Sequence, residues 1–131
     1  MSTFESLYQE ADWKQEKHVP VIEGPDSITK GEFTHFSVSV GKEIPHPNTT
    51  EHHIRWIAAA FLPEGGKYPY EVARFEYTAH GESVEGANQG PAYTAPHSCF
   101  SVRLDQPGTL FVTSYCNIHG LWKSEKPVSV S

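Results

Sequence analysis

The strongest constraint on how this sequence can fold is a repeated alternation of apolar and polar residues in short runs bounded by turn residues. Phe36, Val38 and Val40 alternate with two serines, a pattern that is typical of a strand with one buried face. No apolar stripe of useful length has the spacing of an amphipathic helix. The sequence therefore predicts an all-β domain.

Five further strands are predicted, in chain order at residues 54–62, 70–77, 100–104, 109–115 and 128–130. The run at residues 54–62 is apolar on both faces apart from Arg55, so we expect a central strand that pairs with residues 70–77 as a hairpin. Turns at Pro63-Glu64-Gly65-Gly66 and at Gln106-Pro107-Gly108 return the chain after the first and third of these strands. Residues 80–96 are rich in glycine, proline and polar residues, which indicates a long ordered loop. We expect an immunoglobulin-like antiparallel β-sandwich of about seven strands.

Length and charge restrict the class of protein. The 131 residues, with 37% apolar content, suit one domain, which we expect to span residues 1–131. Asp and Glu (16) outnumber Lys and Arg (10), and the net charge of −6 comes without a basic run that would bind nucleic acid. The N-terminus lacks a secretion signal, and no stretch of about eighteen apolar residues could cross a membrane. We expect a cytoplasmic protein without nucleic-acid or membrane partners.

The 8 histidines are unusually many for this length. One of them follows Cys116 by three residues, and several others lie in predicted loops at strand ends. Two cysteines are too few for a disulfide framework. The candidate segments are Glu16-Lys17-His18, residues 46–53 and Cys116-Asn117-Ile118-His119. Because loops at one end of a β-sandwich converge, we expect these segments to meet around one metal ion.

The candidate ligands are four imidazoles and one thiolate, from His18, His46, His52, His119 and Cys116. A structural zinc site is complete with four ligands and typically uses several thiolates, and one cysteine is too few for an iron–sulfur cluster. Five donors suit a redox-active iron with one open position. His52 and His53 are neighbours with side chains on opposite faces, and spacing does not decide which of them binds.

A blue-copper centre is the main alternative, because such proteins are also β-sandwiches with an early histidine and a late cysteine and histidine. They normally add a weak methionine ligand shortly after the last histidine. The one methionine of this chain is Met1. Copper is therefore the less favoured metal.

The remaining histidines and the second cysteine are assigned other roles. We expect structural or surface positions for His35, His80 and His97, with His80 as a candidate support for the metal-binding loops. His53 is expected to be a surface or supporting histidine. Cys99 is expected to be a small unligated core residue.

Longer motifs carry a more specific indication. Residues 16–23, 41–56, 80–83 and 114–122 closely resemble superoxide reductases of the one-iron, neelaredoxin-like class. The motifs include Glu16-Lys17-His18-Val19-Pro20, His46-Pro47-Asn48-Thr49-Thr50-Glu51-His52-His53 and Cys116-Asn117-Ile118-His119-Gly120. The likeness extends from Asp12 to Trp122, and it implies an immunoglobulin-like sandwich with the activity of that class.

The resemblance also implies roles for the site residues. It implies one iron ion per chain, either Fe²⁺ or Fe³⁺, with four equatorial histidines and the Cys116 thiolate as axial ligand. The equatorial ligands are His18, His46, His52 and His119, so the resemblance selects His52 over His53. It further implies that Glu16 fills the sixth position in the oxidised state and that Lys17 stands beside the open position.

By the same resemblance, the expected reaction is the one-electron reduction of superoxide to hydrogen peroxide, as antioxidant defence, with electrons from a rubredoxin-like protein. The related desulfoferrodoxins add an N-terminal desulforedoxin domain with four cysteines, which we do not expect here because no cysteine precedes Glu16. The family often forms homotetramers, so a homo-oligomer is expected. True dismutation, which needs no external donor, is the alternative activity.

Overall fold

The computed structural model describes residues 3–131 of the protein, which form two packed β-sheets. A short 3-10 helix, Glu5–Leu7, precedes the strands. The described residues contain eight strands, in chain order β1 (Pro20–Glu23), β2 (Ser27–Ile28), β3 (Phe33–Val40), β4 (Ile54–Pro63), β5 (Tyr70–Glu76), β6 (His97–Arg103), β7 (Gly108–Cys116) and β8 (Gly120–Val130). This architecture confirms the predicted immunoglobulin-like sandwich. Among residues 3–131, no helix is long and apolar enough to span a membrane.

The strands divide unequally between the sheets. The smaller sheet has the order β1-β3-β6, and the larger sheet has the order β2-β8-β7-β4-β5. Neighbouring strands are antiparallel, except that β2 and β8 pair in parallel over a short stretch. Strand β7 lies between β4 and β8, so the end of β7 that carries Cys116 is hydrogen-bonded on both sides.

The core lies between the sheets and is formed by the inward-facing side chains of both. Val38 and Val40 of β3 pack in one cluster with Ile57 of β4 and Val112 of β7, and each is at most 4% exposed. Burying an aliphatic side chain of this kind stabilises a fold by about 1.5–3 kcal/mol. Cys116 is fully buried in the same cluster, so the apolar core continues up to the candidate thiolate.

The strands with strong apolar patterns were predicted correctly, but one connection was not. The alternating strand at β3, the internal strand β4 and the hairpin of β4 with β5 are confirmed. The predicted return of β6 into β7 is wrong, because β6 pairs with β3 in the smaller sheet while β7 pairs with β4 and β8. An alternating pattern identifies the face that a strand buries, but it does not identify the partner strand.

Strands β1 and β8 also differ from the prediction. β8 has 11 residues instead of the short run predicted at residues 128–130, and only Trp122 and Val128 within it are buried. β1 was not predicted, because it has 4 residues and no alternating burial. Backbone pairing, rather than apolar periodicity, makes these segments strands: β1 pairs with β3, and β8 pairs with β7.

The candidate segments lie at one end of the sandwich. Cys116, at the end of β7, pairs with Ile54 at the start of β4 and with Gly120 at the start of β8. Pro20, at the start of β1, accepts a hydrogen bond of 2.7 Å from the Ser124 hydroxyl of β8. The segment before β1 and the connections β3–β4 and β7–β8 therefore meet, as the sequence predicted.

Candidate metal centre

The hairpin between β7 and β8 holds the Cys116 and His119 side chains close together. Cys116 ends β7, and His119 precedes Gly120, whose φ of +81° is the left-handed conformation that turns the chain into β8. Cys116 is buried, whereas His119 is exposed. Cys116 Sγ lies 3.8 Å from His119 Nδ1, so both atoms are placed to bind one ion.

His18 reaches this hairpin from the segment before β1. It is buried, and its ring stacks on Trp122 of β8 with centroids 5.1 Å apart and an interplanar angle of 14°. Its Nδ1 contacts Glu16 Oε1 at 2.5 Å, and its Nε2 lies 2.9 Å from His119 Nδ1. When Nδ1 donates to the carboxylate, the lone pair of Nε2 is directed into the cluster.

The connection between β3 and β4 supplies two more imidazoles. His46 Nδ1 donates to Pro47 O at 2.6 Å, which leaves Nε2 as the free acceptor, 3.7 Å from Cys116 Sγ. His52 Nε2 is buried and has no hydrogen-bond partner. Thr49 holds the His52 backbone, since its N–H donates to His52 O at 2.9 Å and its hydroxyl accepts from His52 N at 3.1 Å.

The four imidazoles form a closed ring. Successive ring centroids are 4.9, 4.7, 5.0 and 4.4 Å apart in the order His18, His46, His52, His119 and back to His18. The diagonal between His18 and His52 is 6.1 Å. Ligand atoms of His18, His52, Cys116 and His119 lie within 4.8 Å of one another, and His46 completes the ring from outside that group. The structure thus brings together all five side chains predicted as ligands.

This donor set fits a transition metal such as iron. The unpartnered, buried Nε2 of His52 is costly unless an ion meets it. Imidazole and thiolate donors suit iron, copper and zinc, whereas calcium and magnesium prefer oxygen ligands. The preference for iron over copper rests on the lack of a methionine after His119 in the sequence, and the one methionine, Met1, lies outside the described residues.

The protonation state of His46 suits metal binding. Burial lowers the pKa of His46 to about 4, against the effect of its hydrogen bond to the Pro47 carbonyl. The charges of His18, His52 and Lys17 lower it further. The imidazole is therefore neutral at neutral pH, which is the form that binds a metal.

Glu16 lies at the rim of the ring. Its Oε1 accepts a hydrogen bond of 2.9 Å from the backbone N–H of His18 in addition to the contact with the ring. Burial opposes ionisation of this carboxyl, but the hydrogen bonds and charge of His18 outweigh burial and leave the pKa of Glu16 below its ordinary value. The carboxylate contacts the outer nitrogen of His18 and is not part of the ligand cluster. Its role as a sixth ligand stays a prediction.

Lys17 brings positive charge to the same region. Its side chain is half-buried. After the larger effect of burial, its charge contributes to lowering the pKa of both His46 and His52. The ammonium group therefore acts electrostatically on the imidazole ring, while its place beside an open metal position stays a prediction.

His53 and His80 form a separate pair. His53 is buried, with its Nδ1 2.9 Å from Thr49 O, and its ring stacks on that of His80 at a centroid distance of 3.5 Å. His80 is also buried, and its Nδ1 lies 3.5 Å from Glu82 Oε2. The structure brings His52 into the imidazole ring and His53 against His80, so the two neighbours point to different sides.

The remaining predicted residues lie on the surface. His35 and His97 are exposed, as expected for surface histidines. Cys99 is also exposed, so the prediction of a core residue is wrong. Phe100 and Val102 of β6 turn inward, and because side chains alternate along a strand, Cys99 points outward.

Two residues that shape the site were not identified from the sequence. The Trp122 ring stacks on His18, and its Nε1 donates to His119 O at 3.3 Å. The Asn117 side chain hydrogen-bonds to the backbone on either side of His52. Both lie within the motif at residues 114–122, but the His18 ring and the backbone around His52 are distant in the sequence, so the motif alone was no signal for these contacts.

A β-sandwich that gathers four histidines and a cysteine at one end defines a class of metalloprotein with mixed nitrogen and sulfur ligands. The desulfoferrodoxin family model matches residues 10–125. The chain therefore belongs to the desulfoferrodoxin family.

Relatives are similar over nearly the whole chain. Neelaredoxin from Megalodesulfovibrio gigas is 55% identical over 124 residues, which is 95% of each chain. Superoxide reductase from Pyrococcus furiosus is 57% identical over 114 residues, 87% of this chain and 90% of the relative. The fold matches superoxide reductase (neelaredoxin) from Archaeoglobus fulgidus in the reduced form with a TM-score of 0.85 and 55% identity, covering 94% of this chain and 98% of that one. These similarities confirm the family indicated by the motifs.

Proposed function

We propose that the protein is a superoxide reductase that holds one iron ion through four histidines and one cysteine. The proposed ligands are His18, His46, His52, His119 and Cys116. The closed ring of imidazoles beside a buried cysteine carries the proposal, because five such donors would hold an iron ion and leave room for a small substrate. Membership of the family and the 57% identity to a superoxide reductase support it.

The reaction adds one electron and two protons to superoxide and releases hydrogen peroxide. A bound iron ion would supply the electron, with Fe²⁺ oxidised to Fe³⁺. We propose that a separate redox partner returns the electron, because the described residues 3–131 hold one cluster of histidine and cysteine donors and no second such cluster. A rubredoxin-like donor is the partner that family resemblance suggests.

The protein's own groups prepare the site before substrate arrives. Cys116 lies in the apolar core with no exposed surface, which shields its sulfur from water. As a thiolate it donates electron density to a bound ion, which favours reduction of the substrate. Burial keeps the His46 imidazole neutral at neutral pH, and a bound iron ion would supply the positive charge that attracts an anion.

Lys17 and Glu16 act at the rim in this proposal. A chain with a net charge of −6 repels superoxide as a whole, so attraction must be local, and the Lys17 ammonium beside the imidazole ring supplies it. Glu16 orients the His18 ring through Nδ1. To act as the sixth ligand that the resemblance implies for the oxidised state, the Glu16 carboxylate would have to leave its contact with His18 Nδ1 and bind the ion instead.

Assembly, compartment and domain extent are part of the same proposal. We assign residues 1–131 to one iron-binding domain, in a cytoplasmic homo-oligomer of the kind that the family forms as homotetramers. Light scattering on the purified protein measures the number of chains per particle. A monomer at micromolar concentration would contradict the oligomer and leave the iron chemistry untouched.

Metal analysis combined with stopped-flow kinetics tests the function. Iron-loaded protein is expected to contain one iron per chain and to show a ferric thiolate absorption band. In its reduced form it is expected to consume one superoxide per iron without releasing oxygen. Stoichiometric copper or zinc with no iron uptake would contradict the iron site. Oxygen release without consumption of a reductant would indicate dismutation instead.

A further inference from the structure

Asn117 connects two separate segments of the site. It lies between Cys116 and His119 in the β7–β8 hairpin, and its side chain reaches the β3–β4 connection. Its Oδ1 accepts from the backbone N–H of His53 at 2.8 Å, and its Nδ2 donates to Glu51 O at 2.9 Å. One amide therefore holds the backbone on both sides of His52.

The backbone of Asn117 makes a third bond to the same segment. Its N–H donates to His53 O at 3.1 Å, just beyond the last strand pair, Ile54 with Cys116. At this point the His53 N–H donates its hydrogen bond to the Asn117 side chain, in the place of the backbone carbonyl that would accept it in a continuing strand pair. The segment that carries Cys116 and the segment that carries His52 are thus joined by hydrogen bonds into one unit.

These contacts restrict the backbone at His52 almost completely. Glu51 O and His53 N are bonded to Asn117, while His52 N and His52 O are bonded to Thr49. Rotation of the His52 side chain is the main freedom that remains, and its Nε2 has no other partner. The position of that nitrogen relative to the Cys116 sulfur therefore depends on the Asn117 amide.

We propose that Asn117 is a positioning residue, which sets the distance and orientation of the His52 imidazole relative to the Cys116 thiolate. The inference rests on the proposed role of these two side chains as iron ligands. Groups that orient metal ligands typically change metal affinity by about 10–100-fold when they are removed. Asn117 therefore affects metal affinity and the spectrum of the site, beyond any effect on overall stability.

The test compares Asn117→Ala and Asn117→Asp with the control Asn48→Ala. Asn48 belongs to the same β3–β4 connection, and its Nδ2 donates to Thr94 O at 2.8 Å and to Thr94 Oγ1 at 2.6 Å. Asn48→Ala thus removes an amide with two hydrogen bonds from this connection without touching the backbone around His52. Asn117→Asp keeps the acceptor for His53 N–H and loses the donor to Glu51 O.

Two measurements are made on each variant: Co²⁺ affinity by competition with a chelator, and the absorption spectrum of the iron-loaded ferric form. Asn117→Ala is expected to lose about tenfold or more in Co²⁺ affinity and to shift the thiolate band. Asn117→Asp should lose less, because one of its two side-chain bonds survives. Asn48→Ala should keep the affinity and the spectrum, even where its unfolding temperature falls.

Unchanged affinity and spectrum in folded Asn117→Ala would overturn the inference. Equal losses in Asn48→Ala would also overturn it, because they would reflect general loosening of the connection. If Asn117→Ala does not fold, Asn117→Asp decides by the same two measurements. Wild-type protein that binds no metal would overturn the proposed function as well, whereas wild-type binding with no effect at Asn117 would overturn this inference alone.

Discussion

For two of the four ligand imidazoles, the hydrogen-bond partner of Nδ1 determines which ring nitrogen remains for the metal. Glu16 occupies Nδ1 of His18, and the Pro47 carbonyl occupies Nδ1 of His46, so both rings present Nε2. His119 differs, because its Nδ1 is the atom that lies near His18 Nε2 and Cys116 Sγ. For His18 and His46, short-range hydrogen bonds therefore select the donor atom before any ion is bound.

Lys17→Ala is expected to lower the second-order rate with superoxide by about tenfold, because it removes the positive charge beside the imidazole ring. Iron content should be unchanged, because Lys17 is not among the proposed ligands. Pulse radiolysis or stopped-flow kinetics at several ionic strengths measures the rate. Added salt should slow the wild type more than the variant.

The matched control is Lys30→Ala, which makes the same change of charge at the opposite end of the sandwich. The Lys30 backbone N–H donates to Ser131 O, beyond the C-terminal end of β8, far from Gly120 at the site end of that strand. Its rate should equal that of the wild type. Equal rates in all three proteins at low salt would exclude steering by Lys17.

At the scale of elements, the β3–β4 connection must turn sharply before it reaches His46. Gly41 has a φ of +92°, and a Cβ at this position would lie 2.4 Å from the His46 backbone nitrogen. Gly41→Ala is therefore expected to displace His46 and to lower iron occupancy. It should also reduce the free energy of unfolding by more than the roughly 1–2 kcal/mol of left-handed backbone strain alone. Metal analysis and thermal unfolding measure the two effects.

Gly31→Ala is the control for backbone strain. Gly31 has a similar φ of +86°, but a Cβ there would have no atom within 4 Å. The variant should be modestly destabilised and should bind a full complement of iron. If Gly41→Ala retained as much iron as Gly31→Ala, then the close approach of Gly41 to His46 would not position this ligand.

At the scale of the whole molecule, the buried histidines make the stability of the metal-free protein depend on pH. The pKa of His46 is about 4 in the folded protein, against 6.5 for the free group. Between these values the unfolded chain binds more protons than the folded chain, so the free energy of unfolding rises with pH from about 4 to 6.5. Burial also lowers the pKa of His52, which acts in the same direction. Urea unfolding of metal-free protein across this range measures the slope.

Two variants identify the source of that slope. His46→Gln removes the buried group and should flatten the dependence on pH. His35→Gln changes an exposed histidine of β3 and should leave the dependence as it is in the wild type. A slope that is the same in His46→Gln and in the wild type would show that other groups produce it.

Strands with a strong local pattern were predictable, and strands defined by distant partners were not. β3 could be predicted from its alternation, and β4 from its long apolar run and the turn residues that follow, because these are properties of contiguous residues. The pairing of β6 with β3, the length of β8 and the existence of β1 depend on backbone hydrogen bonds to strands far away in the sequence. Cys99 was misplaced although the inward positions of Phe100 and Val102 already implied that it faces outward.

The sequence by itself determined the class of fold and the candidate ligands, because both depend on residue types at given spacings. Family resemblance chose His52 over His53, and the structure supplied the separation of their side chains. Only the tertiary structure decided that His18 Nε2 meets His119, that His53 stacks on His80, and that the Asn117 side chain holds the backbone on both sides of His52. These are contacts between segments that meet only when the sheets pack, and no spacing along the chain encodes their distances.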